Sequence, residues 1–545
     1  MCLLLNLSSS GEQAAELFTR RKILKHVLST PLLLTLAPVL ANARENASLP
    51  DTLSLWIKAQ RERSIGYLLR NISPTGIVER SVGAQNIAVE RLDAARREAA
   101  KPGATVRFEG ERFLQTVVPK PGSVLAADRG GSTEPDYAFH WVRDSSLIMR
   151  EVAGLVTLGQ PSHAANFRRR WEDYSQFTRA LQLSPSTVDS GEVRYNLDGT
   201  QDYLQWSRPQ HDGPPLRALA FMYFRAQRAA AGNSEYTARV DSVLRQDLDD
   251  IAANWNSSGF DLWEEYNGHD FHARVVRVGA LRAGAHWARA VGDTTRAEFY
   301  AKTEQQLREA LEDHWSQAKG YYGFHVGRKV YWDGKERAKP GDNFDAAVVT
   351  AAVHSRLTDG RYSLLDDRIL ASAVRAEDLF TKLYAINRRM GASHGALYGR
   401  YEGDNYFGGN PFVFITLEFA EAHYRIASLL AQRRSLAVTP LNREFLDRAL
   451  RRADVLPLID GRRDALADKA MRRALLRGLV LRGDDILRTV MRLTPESGKL
   501  PEQFNQNDGA VASSSNVSWS HSALLAATRA RAAALSPRVV GANHF

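Results

Sequence analysis

Helical periodicity running almost from end to end is what most constrains this chain. Apolar residues recur at spacings of three and four over 52–72, 144–159, 164–183, 214–232, 236–255, 271–292, 295–315, 344–357, 368–390, 412–432, 471–493 and 519–535, while alternating strand patterns are scarce. The expected class is therefore all-α, with about a dozen helices. Short links such as Gly292–Thr295 alternate with long loops rich in Trp, Tyr, Gly, Asn, Asp and Glu. That alternation suits a ring of hairpins, inner helices around a core and outer helices shielding them, with function on the long loops. No Gly/Ser/Pro linker divides the 545 residues, so one large repetitive architecture is expected in place of three or four domains. Residues 78–120 stand apart as an insertion on the first long loop: 88–103 reads as helical, and 104–118 reads as a hairpin.

The N-terminus reads as an export signal over 1–43. A twin-arginine core, Thr19–Lys25 (TRRKILK), precedes an apolar run interrupted by Pro31 and Pro38 that ends in Ala41-Asn42-Ala43. The run is too short for a membrane span, so cleavage after Ala43, delivery to the periplasm or medium and no stable membrane association are expected for a mature chain over 44–545. Cys2, the single cysteine, lies in the removed segment, which excludes disulfides, thiolate catalysis and Cys-ligated metal. Removal lowers the formal charge only from +10 to +8, and basic residues are interleaved with acids, as on solvated helix faces; a nucleic-acid partner is not expected.

Five loops hold the informative residues. Glu134–Leu147 (EPDYAFHWVRDSSL) sets Tyr137, Trp141, Arg143 and Asp144 ahead of a helix. An adjacent Arg and Asp beside aromatics offer a sugar a donor, an acceptor and a flat face, although Asp144 before two serines also reads as a helix cap. In Tyr203–Leu219, Asp212, Gly213 and Pro214 read as a helix start, leaving Trp206 as a platform. Phe260–Phe271 (FDLWEEYNGHDF) crowds Glu264 and Glu265 between Trp263 and Tyr266, ahead of an apparent Asn-Gly turn. Carboxylates among aromatics lose solvation, which favours the neutral acid and makes Glu264 a candidate proton donor. Gly399–Leu417 (GRYEGDNYFGGNPFVFITL) is a Gly-rich turn without the Lys-Ser/Thr of a phosphate loop. Leu500–Leu525 carries Glu502 and Gln503. Two carboxylates 238 residues apart on one rim suit glycosidic-bond hydrolysis, one as acid and one as base.

Competing sites are weak. GASHG at 391–395 matches a nucleophile elbow, but a helix and not a strand precedes Ser393. His140, His211, His269 and His272 read as hydrogen-bonded fillers, and no metal-ligand spacing is present.

Taken together, PDYAFHWVRDSSL, RPQHDGPPLRA, DLWEEYNG, GRYEGDNYFGGNPF and PEQFNQNDG…SWSHSALL resemble the five ordered signature loops of the glucoamylases, glycoside hydrolase family fifteen, and the resemblance spans nearly all of 50–530. It implies an (α/α)6 toroid with six inner and six outer helices, Glu264 as catalytic acid and Glu502 as base. Arg143 and Asp144 would hold the non-reducing-end glucose. Tyr137, Trp141, Trp206, Trp263, Glu265 and Gln503 would line the subsites, with Asp261, Arg400 and Asp404 among the substrate-binding positions. No cofactor is implied, and a monomer acting on malto-oligosaccharides or dextrins is expected. Phe412 departs from the family's usual Trp after Gly-Asn-Pro, and the tail after Leu535 is too short for a starch-binding module. The leading reading is an inverting, exo-acting α-glucosidase; a dextran-cleaving or trehalase-type hydrolase of the same fold, and a non-catalytic periplasmic sugar-binding protein, are the alternatives.

Overall fold

The computed structural model describes residues 51–128, 134–158, 161–184, 191–228, 234–391, 393–456 and 461–536. The signal expected over 1–43 lies outside the described residues. The fold below is that of Trp56–Phe545; of the chain before it, only residues 51–55, which open the first helix, are described.

Twelve helices carry the architecture: α1 (Thr52–Asn71), α2 (Val142–Leu158), α3 (Pro161–Leu183), α4 (Gly213–Arg228), α5 (Ser234–Ala253), α6 (Phe271–Ala290), α7 (Thr294–Leu311), α8 (Ala347–Ser355), α9 (Asp367–Leu383), α10 (Val413–Gln432), α11 (Lys469–Leu493) and α12 (Ser518–Leu535). The even-numbered members form a closed inner ring: α2 packs on α4, α4 on α6, α6 on α8, α8 on α10, α10 on α12, and α12 returns to α2. Outside it, α3 packs on α2 and α5, α7 on α6, and α11 on α10. This is the expected (α/α)6 toroid.

Burial follows the two layers. All nine residues of α8 are buried, whereas α7 buries only Ala297, Tyr300, Thr303, Leu307 and Leu311, the three-to-four spacing of a one-sided helix. Close crossings use small residues: a Cβ on Gly279 of α6 would stand 2.2 Å from the Ser355 carbonyl oxygen at the end of α8. Several buried polar groups within the ring bond one another. Glu418 accepts from Trp519 Nε1 at 2.9 Å and lies 3.0 Å from His354 Nε2, whose Nδ1 lies 3.0 Å from His272.

Three shorter helices depart from the expected pattern. The single helix read over 368–390 breaks at Tyr384, which is extended (φ −90°, ψ 123°), and resumes at Ala385–Arg389. The break is stabilised because Tyr384 stacks on Phe380 at 5.3 Å and Asn387 Nδ2 donates to the Phe380 carbonyl at 2.9 Å. Arg443–Arg452 forms a short helix, buried through Phe445, Leu446, Ala449 and Leu450, that the charged sequence REFLDRALRR concealed. Within the insertion, the helix shortens to Leu92–Ala99. The hairpin pairs Val106–Glu109 with Arg112–Val117, and Val78–Gly83 adds a third strand along its other edge. Ile87, Ala95, Val106 and Phe113 form its small core with Tyr203.

Candidate active site

The loops that precede the six inner helices supply the wall of one cavity of about 1210 Å³. Tyr137, Trp141, Arg143, Asp144, Trp206, Trp263, Glu264, Glu265, Arg400 and Glu502 all line it. Five of these loops were recognised in the sequence; the sixth, the long link ahead of α8 that reaches the cavity through Tyr331 and Trp332, was not.

Glu264 stands at the tip of a hairpin. Gly259–Phe260 pairs with Tyr266–Asp270, and the turn between them is tied by Asp261, whose side chain accepts from the backbone N–H groups of Trp263 and Glu265, both at 3.1 Å. The Asp261 carbonyl accepts the Glu264 N–H at 2.8 Å, and Glu264 is held at φ 66°, a left-handed conformation costly for a side-chain-bearing residue and typical of functional sites. Its Oε1 accepts from Trp141 Nε1 at 2.9 Å and faces the Arg143 guanidinium at 3.5 Å, while Ser207 Oγ fixes its carbonyl at 2.6 Å. The Asn-Gly expected to turn here instead lies inside the strand, where Gly268 permits close pairing: a Cβ would meet the Arg328 carbonyl oxygen at 3.1 Å.

Glu502 is deeper. Its backbone N–H donates to the Ser514 carbonyl at 2.8 Å and its carbonyl accepts from Val413 at 2.9 Å, so the chain is pinned at the start of α10. Its carboxylate accepts from Ser513 Oγ and from Tyr137 Oη at 3.1 Å. Burial pushes this carboxyl up to about 7, against the pull of the Ser513 and Tyr137 hydrogen bonds and the Arg400 charge. Burial was expected to single out Glu264, bracketed by aromatics in sequence. That bracket is only linear: Trp263 turns its indole N–H to Asp345 at 2.9 Å, and the Glu264 side chain keeps 17 % of its exposure.

Arg143 and Asp144 open α2. Arg143 donates to Gln210 Oε1 at 2.9 Å and faces Asp212 at 3.5 Å, so Asp212, expected only to cap α4, also holds the guanidinium in place. Burial pushes Asp144 up to about 6 although Arg143 pulls it down. Among the described residues, Trp206 Nε1 is buried without a hydrogen-bond partner, as are Arg143 Nε and Asp144 Oδ2 apart from their mutual ion pair at 3.3 Å, and all three residues face the cavity. Such groups are costly unless a ligand satisfies them. The Trp206 ring is backed by the Arg194 guanidinium at 3.5 Å, itself bonded to Asp202 at 2.8 Å.

Three expected substrate-binding residues do not line the cavity. Asp261 is sealed beneath the Glu264 turn, bonded to His325 Nε2 at 2.9 Å; these bonds outweigh burial and hold its carboxyl below the usual range. Asp404 accepts from Arg400 Nε and the Tyr406 N–H, both at 2.8 Å, and so aims Arg400. Gln503, fully buried, bridges Asn410 Nδ2 and the Tyr406 carbonyl, both at 3.4 Å. All three bond to residues of the cavity wall or its supporting turn. Arg400 also bonds Glu265 at 3.0 Å, a carboxylate further satisfied by Tyr401 Oη. Residues missed in the sequence include Ser513, Tyr406, whose hydroxyl meets that of Tyr137, and Asp345, raised to about 6 by burial against the nearby Lys339. Each is an ordinary polar residue whose role depends on a partner remote in sequence.

His140 and His272 are buried, neutral fillers, as expected; burial lowers His140 to about 3. Among the described residues no cluster of three or more His, Cys, Asp or Glu is placed to hold a metal ion.

A buried Arg–Asp pair, aromatic walls and two remote carboxylates in one cavity compose a site for a sugar. Against known proteins, the family description "Glycosyl hydrolases family 15" matches residues 110–529. The chain belongs to glycosyl hydrolase family 15. This family 15 hydrolase is 29 % identical over 432 residues to the glucoamylase of Blastobotrys adeninivorans, covering 75 % of this chain and 67 % of that one. It is 27 % identical over 495 residues to glucoamylase 1 of Rhizopus oryzae, covering 89 % of this chain and 72 % of that one. The solved family 15 glucoamylase of Hypocrea jecorina superposes with a TM-score of 0.65 at 26 % identity, over 75 % of this chain and 67 % of that structure.

Proposed function

We propose that this cavity hydrolyses malto-oligosaccharides or dextrins from the non-reducing end, with Glu264 as acid, Glu502 as base and inversion at the anomeric carbon. A glucan 1,4-α-glucosidase agrees with the relatives named above, each a glucoamylase. The observation that carries the assignment of residues is that Glu264 and Glu502 line one cavity while held by different donors, Trp141 and Arg143 for the first, Ser513 and Tyr137 for the second.

In this reading Arg143 and Asp144, paired at 3.3 Å at the head of α2, bind hydroxyls of the terminal glucose, and exo action agrees with the glucoamylase relatives. Glu264 donates its proton to the glycosidic oxygen as the bond to C1 breaks, the electron pair leaving with that oxygen. Glu502 takes a proton from water, whose oxygen forms the new bond to C1 from the opposite face. Ser513 and Tyr137 stabilise the Glu502 carboxylate against burial. Phe412, where the resemblance expects Trp, is buried with its ring 6.0 Å from Trp263 and so braces that platform. We further propose that the enzyme acts as a monomer.

Incubation with maltose, maltotetraose, isomaltose and trehalose tests the reading. Glucose from the first two is expected; glucose from isomaltose or trehalose alone would move the protein to the dextran- or trehalose-cleaving alternative. The segment Thr19–Lys25 supports twin-arginine export to the periplasm or medium. Replacing Arg20 and Arg21 by Lys should leave the precursor uncut in the cytoplasm, since Lys lacks the guanidinium fork; normal delivery would assign export to the general route.

A further inference from the structure

The insertion reaches the catalytic cavity. Its first strand and the turn after it place Val82 and Asn86 in the wall, beside Gln205 and Trp206. The strand, this turn and the helix that follows all precede residue 110, where the family match begins.

The segment is built into the site at three points. Arg80, its side chain 2 % exposed, bonds Asp136 at 3.0 Å and the Ala138 carbonyl, on both sides of Tyr137, and lies over the Phe139 ring at 3.6 Å. The Asn86 carbonyl accepts from the Gln205 N–H at 2.7 Å, next to Trp206. Arg91 bonds Glu192 at 2.6 Å and the Asp202 carbonyl, and Asp202 in turn holds Arg194 behind Trp206. The insertion therefore grips the two loops that carry Tyr137 and Trp206, while the Asn86 side chain itself is exposed.

We infer that the insertion forms an outer sugar-binding wall, in which the Asn86 amide takes glucosyl units of the leaving chain beyond the first. The inference rests on the reading of Glu264 as acid. Groups beside the acid face the departing sugar, and from Glu264 the wall runs to Trp141, then to Trp206 with ring centroids 5.9 Å apart, then through Gln205 to Asn86. Trp141 and Trp206 thus line the wall between Glu264 and Asn86, and in this proposal a disaccharide ends before the amide. An exposed amide offers both a donor and an acceptor to sugar hydroxyls.

The test is kcat/KM for maltose and for maltopentaose in the wild type and in Asn86→Ala. The variant should lose about three- to tenfold on maltopentaose through KM, the usual range for one hydrogen bond, and stay within about twofold on maltose. Its thermal midpoint, measured alongside, should not move. An unchanged ratio between the two substrates in an active enzyme, or an equal loss on both, overturns the inference alone. No glucose from either substrate in the wild type overturns the glucosidase reading, and the inference with it.

Discussion

Glu264 and Glu502 are the same residue in one cavity, and the protein treats them differently. Glu264 is carried on a strained hairpin tip, partly exposed, against an indole N–H and a guanidinium. Glu502 is pinned by its backbone between two segments, buried, and bonded by two hydroxyls. The difference teaches that the task of a carboxylate is set by what the distant chain brings to it. Inverting hydrolysis needs one protonated and one ionised group at the same pH.

The largest effect expected from breaking the contrast is on turnover. Glu264→Gln and Glu502→Gln should each lose at least about 10²-fold in kcat, the usual share of a general acid or base. Wild-type-like turnover in either would remove that residue from the mechanism.

A sharper test separates the two environments by pH. The base must be ionised, so kcat/KM should fall as pH drops through the Glu502 value of about 7 in the free enzyme. Ser513→Ala removes a donor that favours the carboxylate, so the acidic limb should move to higher pH while the alkaline limb stays in place. Movement of the alkaline limb instead would exchange the roles of the two residues.

The same burial carries a stability cost. Burial raises the folded-state value of Glu502 from the ordinary 4.5 to about 7, so its proton favours folding below pH 4.5, and that stability is lost as pH rises through 7. Glu502→Gln should therefore stabilise the fold at pH 8, on the order of 1–3 kcal/mol, and have little effect at pH 4. Equal denaturation midpoints for wild type and variant at pH 8 would contradict the burial argument.

How far these features were legible in sequence follows from the range of the interactions that make them. Helix periodicity is local, and it announced the ring; a pattern such as that of α7 states which face is covered without reference to anything else. The break at Tyr384 was hidden because its stabilisation lies in a stack on Phe380 and a side-chain bond from Asn387. The site residues came from recognisable loops, but their division into cavity wall and support did not. Asp261 and Asp404 look like ligands in sequence because they are acids among aromatics. In the structure they bond His325 and Arg400 and do not line the cavity. The aromatic bracket around Glu264 opens in space for a related reason: neighbours in sequence at a tight turn point in different directions, and burial is decided by the packing of whole loops.

The most direct test of the central claim is the anomer of the first glucose released. If Glu502 directs water to the face opposite Glu264, the two carboxyl groups act across a gap of about 6.5–9.5 Å, whereas a nucleophilic Glu502 would work across about 5–5.5 Å and retain configuration. Proton NMR of the anomeric signals in the first minutes of maltotetraose hydrolysis should show β-glucose first, with the α-anomer growing only as mutarotation proceeds. Initial α-glucose would contradict the inverting mechanism and the role of Glu502 as base.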